Sequence, residues 1–230
     1  MRTLGLIGGT GPESTIDYYR LLVAKYREQA DGHSPPLIIT SIDLKQMIDW
    51  MSTGNLTAVA DGLATEFERL QKAGADFAAL TANTPHIVFD ELQQRSPIRL
   101  ISIVEATCEE AKARGMKTVG LFGTQYTMQA PFYPAVFSRA GIKLALPTKD
   151  EQDYIHGIYL GELLKDVFRP ETRARLLEIA DEMKRRENIE GLILGGTELP
   201  LLLRAEEHNG IPLLDTTRIH VNKLVTEMLR

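Results

Sequence analysis

The feature that most constrains the fold of this chain is an internal repeat. The segment Met1–Gly8, MRTLGLIG, matches Met116–Gly123, MKTVGLFG, which lies 115 residues later. A second pair follows in the same order, because Phe77–Thr84, FAALTANT, parallels Gly191–Glu198, GLILGGTE, 114 residues later. Two repeated segments at nearly the same spacing predict a chain built from two similar halves.

Short apolar runs alternate with longer amphipathic stretches, an alternation typical of parallel sheets covered by helices. The sequence therefore predicts an α/β protein with two similar doubly wound parallel-sheet domains and a ligand site in the cleft between them. Residues 1–115 form the first predicted domain and residues 116–215 the second, while a helix over 216–230 can cross back to the first.

Composition excludes several functional classes. The 26 basic and 31 acidic residues give a net charge of −5, whereas a nucleic-acid or anionic-membrane partner requires a basic face. The apolar runs are too short to span a bilayer, and no signal-peptide layout precedes the first strand, so we expect a cytoplasmic protein. The single cysteine, Cys108, permits neither an intramolecular disulfide nor a cysteine-based zinc site, and the histidines lack metal-ligand spacing.

Small and hydroxyl-bearing residues follow four of the predicted strands. Ligands bind beyond the carboxyl ends of strands in open parallel sheets, and the N–H groups at helix starts favour a carboxylate or phosphate. Ordinary turns and helix caps explain any one of these segments equally well, with Gly11 before Pro12 and Thr84 before Pro85 as the predicted caps. The glycines match neither a Walker A loop nor a dinucleotide fingerprint. The four segments are Gly8–Glu13, Ala82–His86, Gly123–Thr127 and Gly195–Glu198.

In these segments the chain resembles the aspartate/glutamate racemases, including the broad amino-acid racemase branch. The resemblance covers essentially the whole chain. It is carried by GLIGGTGPEST at 5–15, NTPH at 83–86, PTKDEQ at 147–152 and GTE at 196–198. It implies a homodimer that inverts the α-carbon of acidic amino acids without a cofactor, and a small amino acid or related carboxylate as ligand.

The resemblance also assigns individual positions. Asn83, Thr84 and Thr197 match positions that hold the substrate α-carboxylate, and Thr10 matches the loop that lines the same pocket. Lys165 lies where the family often has a basic residue for the substrate's carboxylate. Met51 lies near where relatives place a polar contact to the side-chain carboxylate, so an apolar residue there weakens aspartate as the inferred ligand.

The chain departs from the family at the catalytic positions. Relatives use two facing cysteines, one from each half, to remove and return the α-proton. Here those positions are Ala82 and Gly196, which carry no thiol. Cys108 falls within a predicted helix and is interpreted as structural.

Two nearby residues are candidate replacements for the missing bases. His86 titrates near neutrality and can act as a base, although its family counterpart is a support beside the first cysteine. Glu198 can act as a base or cap the helix start. The sequence thus predicts a cofactor-independent isomerase of the racemase family. Two alternatives stay open: an amino-acid-binding protein without turnover, and a lyase or hydrolase with a single base.

Overall fold

Nine β-strands form two separate sheets in the computed structural model, which describes residues 1–230. The chain divides into two units, one of residues 1–103 and 220–230 and the other of residues 104–219. Each unit is an α/β domain around one parallel or mostly parallel sheet, so the predicted class of two similar α/β domains is confirmed.

The first unit contains a four-stranded parallel sheet in the order β2-β1-β3-β4. Its strands are β1 (Leu4–Gly8), β2 (Leu37–Ser41), β3 (Phe77–Leu80) and β4 (Arg99–Leu100). Its helices are α1 (Pro12–Gln29), α2 (Leu44–Ser52), α3 (Leu56–Lys72) and α4 (Phe89–Arg95), with a 3-10 helix at Thr84–Val88.

The second unit contains a five-stranded sheet in the order β6-β5-β7-β9-β8, in which β8 alone is antiparallel. Its strands are β5 (Thr118–Gly123), β6 (Lys143–Ala145), β7 (Leu192–Gly195), β8 (Glu207–His208) and β9 (Ile211–Asp215). The remaining helices are α5 (Ile103–Ala113), α6 (Gln125–Gln129), α7 (Phe132–Arg139), α8 (Lys149–Gly161), α9 (Pro170–Glu187), α10 (Leu199–Leu202) and α11 (Thr216–Met228), with a 3-10 turn at Leu163–Lys165.

The internal repeat extends to strand register. In the first sheet Ile7 pairs with Leu80, and in the second Phe122 pairs with Leu194. These pairs are the ones that the two sequence offsets relate to each other. The order β2-β1-β3-β4 also matches β6-β5-β7-β9 strand for strand. The two halves therefore share one topology.

A glycine at the same place in each central strand allows a helix to approach closely. A Cβ on Gly5 would lie 3.1 Å from Leu70 Cδ1 of α3. The equivalent Cβ on Gly120 would lie 3.1 Å from Met183 Cε of α9. The repeated Gly-Leu of the two matching segments thus has the same packing purpose in both halves.

The unit boundary differs from the boundary at residues 115 and 116 that sequence predicts. Helix α5 groups with the second unit, where Cys108 lies against the Val136 carbonyl. Residues 220–230 of α11 group with the first unit, since His220 contacts Tyr18 and the Ile101 carbonyl there. No helix of the chain is both long enough and apolar enough to cross a membrane.

Candidate active site

Each sheet has one point at which the strand order reverses direction. The chain passes from β1 to β2 on one side and then to β3 on the other, and β5, β6 and β7 repeat this course. Ligands bind at such points, beyond the carboxyl ends of the two central strands. We call the loops Gly8–Thr10 and Thr81–Thr84 the first crevice. The loops Gly123–Thr124 and Gly195–Glu198 are the second crevice.

The loop after β1 brings backbone groups into the first crevice. Gly9 has a φ of +87°, and a Cβ there would lie 2.4 Å from the Ile42 carbonyl oxygen, so only glycine fits. Helix α1 then begins at Pro12 after Gly11, as predicted, and has no side-chain cap. The Thr10 hydroxyl is excluded from solvent and has no hydrogen-bond partner. This loop therefore offers an unused donor beside the start of an 18-residue helix.

The loop after β3 carries Ala82, the position to which the family resemblance assigns the first cysteine. Ala82 and Asn83 are buried there, and Thr84 is half-buried. The predicted cap is displaced by one residue, because Thr84 is already the first residue of the 3-10 helix and Asn83 precedes it. The Thr81 hydroxyl donates to the Ile7 carbonyl at 3.1 Å, which ties this loop to β1.

His86 is buried, and both of its ring nitrogens have backbone partners. Nδ1 donates to the Ala82 carbonyl at 3.1 Å, and Nε2 accepts from the Ile103 N–H at 3.4 Å. The ring stacks on Phe89 with centroids 4.7 Å apart. Burial lowers the pKa of His86 to about 4, so the imidazole is neutral. This arrangement favours the supporting alternative over the base, since a base needs an unengaged nitrogen.

The second crevice contains a buried carboxylate after β7. Glu198 is 3% exposed and immediately precedes the short helix α10. Its Oε2 accepts a hydrogen bond from the Tyr159 hydroxyl, and the Thr197 hydroxyl lies 3.3 Å from the same oxygen. Burial and the adjacent Glu198 charge hold the pKa of Tyr159 well above its usual range.

Tyr159 occupies the space in front of Gly196. A Cβ on Gly196 would lie 2.4 Å from Tyr159 Cε2 and 2.5 Å from its hydroxyl oxygen. The phenol therefore fills the volume into which any side chain at position 196 would extend. Sequence reasoning missed this residue.

Tyr159 comes from one face of α8. Gln152, His156 and Tyr159 are spaced i, i+4 and i+7, so they share that face. The helix starts in a capping box in which Thr148 and Glu151 bond reciprocally. His156 Nδ1 accepts from the Gln125 N–H at 3.3 Å, at the first turn of α6. Burial lowers the pKa of His156. The spacing of these three polar residues along one helix face was the sequence pattern that could have identified Tyr159.

The remaining predicted positions have varied surroundings. Met51 is buried in the last turn of α2, whose N-terminus is capped by the Asp43 carboxylate through the Lys45 N–H at 2.8 Å. Lys165 is exposed in the 3-10 turn after α8. Cys108 is buried in α5, and burial raises the pKa of its thiol. No three His, Cys, Asp or Glu side chains are grouped to hold a metal ion.

Comparison with known proteins identifies a racemase family. The Asp/Glu/Hydantoin racemase family model matches residues 7–224. The broad specificity amino-acid racemase RacX of Bacillus subtilis is 32% identical over 147 residues, which are 60% of this chain and 61% of that protein. The match thus spans less than two thirds of this curated relative.

Solved structures resemble the whole chain. A proposed Asp/Glu racemase from Yersinia pestis is 30% identical with a TM-score of 0.91, and the alignment covers both chains completely. An aspartate racemase homologue from Pyrococcus horikoshii OT3 is 31% identical with a TM-score of 0.83, again over both whole chains. The chain therefore belongs to the Asp/Glu/Hydantoin racemase family.

Proposed function

We propose that this protein is a cofactor-independent enzyme that binds a small amino acid by its α-carboxylate and moves the α-proton. The unpartnered Thr10 hydroxyl carries the proposal. A buried hydroxyl without a partner costs about 1–3 kcal/mol, and a ligand carboxylate would remove that cost. The uncapped start of α1 favours the same negative group.

The other proposed carboxylate contacts are Asn83 and Thr84 in the first crevice, Thr197 in the second, and Lys165. Met51 is buried in α2, near the position where the family resemblance expects a polar contact to an acidic side chain. We therefore propose an acidic or related amino acid, without aspartate as a requirement. By family resemblance we also expect a cytoplasmic homodimer.

A second candidate function is amino-acid binding without turnover. Its supporting observation is that neither Ala82 nor Gly196 has a transferable proton, while Tyr159 fills the space before Gly196. Binding measurements alone do not separate the two candidates, whereas α-proton exchange does.

The carboxylate site is tested by replacing Thr10 with valine, which removes the hydroxyl and keeps the branched shape. Titration calorimetry with D- and L-forms of aspartate, glutamate and several neutral amino acids identifies the ligand in the unaltered protein. We expect Thr10→Val to weaken its binding about 10- to 100-fold, because a hydrogen bond to a charged group contributes about 1.5–3 kcal/mol. The thermal midpoint should stay unchanged or rise, since the hydroxyl has no partner to lose.

Thr40→Val is the matched control. Thr40 also has a buried hydroxyl without a partner, but it lies on β2 and outside both crevices. Its replacement should leave ligand affinity unchanged. Equal affinity in the Thr10→Val and unaltered proteins would refute the assignment of Thr10 to the carboxylate.

A further inference from the structure

We propose that Tyr159 and Glu198 form a proton-transfer pair that replaces the missing thiol of the second crevice and serves one face of the substrate α-carbon. This inference rests on the proposed function, because it names the group that would move the α-proton.

The first observation that supports the pair is the position of Gly196. It follows the last residue of β7, as Ala82 follows β3 after one residue, and the matching registers of the two sheets make these positions equivalent. A side chain at either position projects from the carboxyl edge of its sheet, where a ligand binds. Position 196 is therefore the place from which the second half would present a proton-transfer group.

The second observation is the placement of the Tyr159 phenol. The hydroxyl oxygen of Tyr159 lies 2.5 Å from the point where a Cβ of residue 196 would stand. Helix α8 thus delivers an oxygen acid to the volume that a cysteine side chain at 196 would use. The absence of a side chain at Gly196 is what makes room for it.

The third observation is the hydrogen-bond partner of the phenol. The hydroxyl donates to Glu198 Oε2, and Tyr159 and Glu198 are 5% and 3% exposed. The Thr197 hydroxyl contacts the same carboxylate oxygen at 3.3 Å, which helps to fix its orientation. A buried carboxylate beside a phenol provides a nearby acceptor for the phenol proton.

The proton transfer through the pair balances without any further reactant. In the basic form the pair is a phenol and a carboxylate. The α-proton moves to the phenol oxygen while the phenol proton moves to Glu198, and the electron pair of the broken C–H bond stays on the substrate as a carbanion. The acidic form is then a phenol and a carboxylic acid. Reversal returns one proton to the carbon and restores the carboxylate.

The pair predicts a particular stereochemical outcome. Racemisation with two bases needs a second group on the opposite face of the α-carbon, and its family position here is Ala82, which has none. In D₂O the acidic form of the pair can exchange its protons with solvent. The α-position should therefore take up deuterium and keep its configuration.

The test compares deuterium exchange in three variants of the full chain with the amino acid that binds. Tyr159→Phe removes the hydroxyl and keeps the ring against Gly196, while Glu198→Gln keeps a hydrogen-bond acceptor and removes the proton acceptor. Both should slow exchange at least about 100-fold, the lower range for general acid–base groups, with ligand affinity within about threefold. Tyr154→Phe removes a hydroxyl from the same helix and should exchange at the unaltered rate.

The outcomes separate the two levels of the argument. Exchange that persists at the unaltered rate in Tyr159→Phe overturns the pair but leaves the proposed function in place. A bound amino acid that exchanges in neither enantiomeric form in the unaltered protein overturns both. If Tyr159→Phe has a reduced thermal midpoint, the Glu198→Gln variant provides the test, as long as it retains ligand affinity. Exchange at the unaltered rate in Glu198→Gln also overturns the pair.

Discussion

Replacing Gly196 with alanine is the most informative single perturbation of the second crevice. Gly196 does not have a positive φ, so its backbone accepts alanine without conformational strain. The three atoms nearest to the new Cβ all belong to the phenol of Tyr159, whose Cε2, hydroxyl oxygen and Cζ would lie 2.4, 2.5 and 2.7 Å from it. Ordinary carbon contacts begin near 3.5 Å, so the ring must move by about 1 Å.

The expected loss of stability follows from the contacts that this movement of the ring breaks. The hydrogen bond from Tyr159 to the charged Glu198 contributes about 1.5–3 kcal/mol, and adding a methyl group to a packed core costs about 1–3 kcal/mol. Alanine also reduces the conformational freedom of the unfolded chain, which stabilises the folded state by about 0.4–1 kcal/mol. We expect Gly196→Ala to lower the free energy of unfolding by about 2–5 kcal/mol.

Urea unfolding followed by circular dichroism measures this loss, with Gly157→Ala as the matched control. Gly157 lies in α8, and a Cβ there has no atom within 4 Å. Its replacement should be neutral or stabilise the fold by about 0.5–1 kcal/mol. In a Tyr159→Leu background, which lacks the obstructing ring atoms, Gly196→Ala should cost less than about 1 kcal/mol. Equal stability of Gly196→Ala and the unaltered protein would refute the placement of the phenol.

Two further predictions concern the first unit. The pKa values of His86 and His220 are lowered by burial to about 4 and about 3, so both stay neutral in the fold while the unfolded histidines take up protons below about pH 6.5. Stability should therefore be complete above pH 6.5 and fall as the pH drops toward 4, by about 2 kcal/mol for each histidine at pH 5. Urea midpoints measured from pH 7.5 to 5 check this, and a His86→Gln variant with undiminished pH dependence would contradict it. Glu227 is 2% exposed and bonds to three arginines, so Glu227→Gln should lower the free energy of unfolding by about 3 kcal/mol, whereas Glu110→Gln at an exposed pair should cost under 1 kcal/mol in the same assay.

The repeat made the duplicated α/β architecture predictable from sequence. The matches at Met1–Gly8 and Phe77–Thr84 indicated two corresponding strands in each half. Their carboxyl ends then indicated the functional loops. The short strands β6 and β8, with three and two residues, carried too little apolar pattern to be recognised.

The domain boundary and the Tyr159 contact depend on packing that sequence patterns do not encode. Helix α5 has the same amphipathic pattern whichever unit covers it, so its grouping with residues 104–219 could not be inferred. Tyr159 and Gly196 lie far apart in the chain, and their contact depends on how α8 packs against the end of β7. The sequence shows a glycine at a position to which the family resemblance assigns a cysteine, but it does not show which residue fills the space in front of it.

The direct test of the central claim is the stereochemical course of proton exchange. The protein is incubated in D₂O with the amino acid that binds, in either enantiomeric form. Mass spectrometry then measures deuterium at the α-carbon, and chiral chromatography measures configuration. Transfer through Tyr159 and Glu198 alone predicts that deuterium accumulates in one enantiomer, which keeps its configuration. Inversion at the same rate as exchange would contradict it by requiring a second proton-transfer group, and a bound amino acid that exchanges in neither enantiomeric form would show that the protein moves no α-proton.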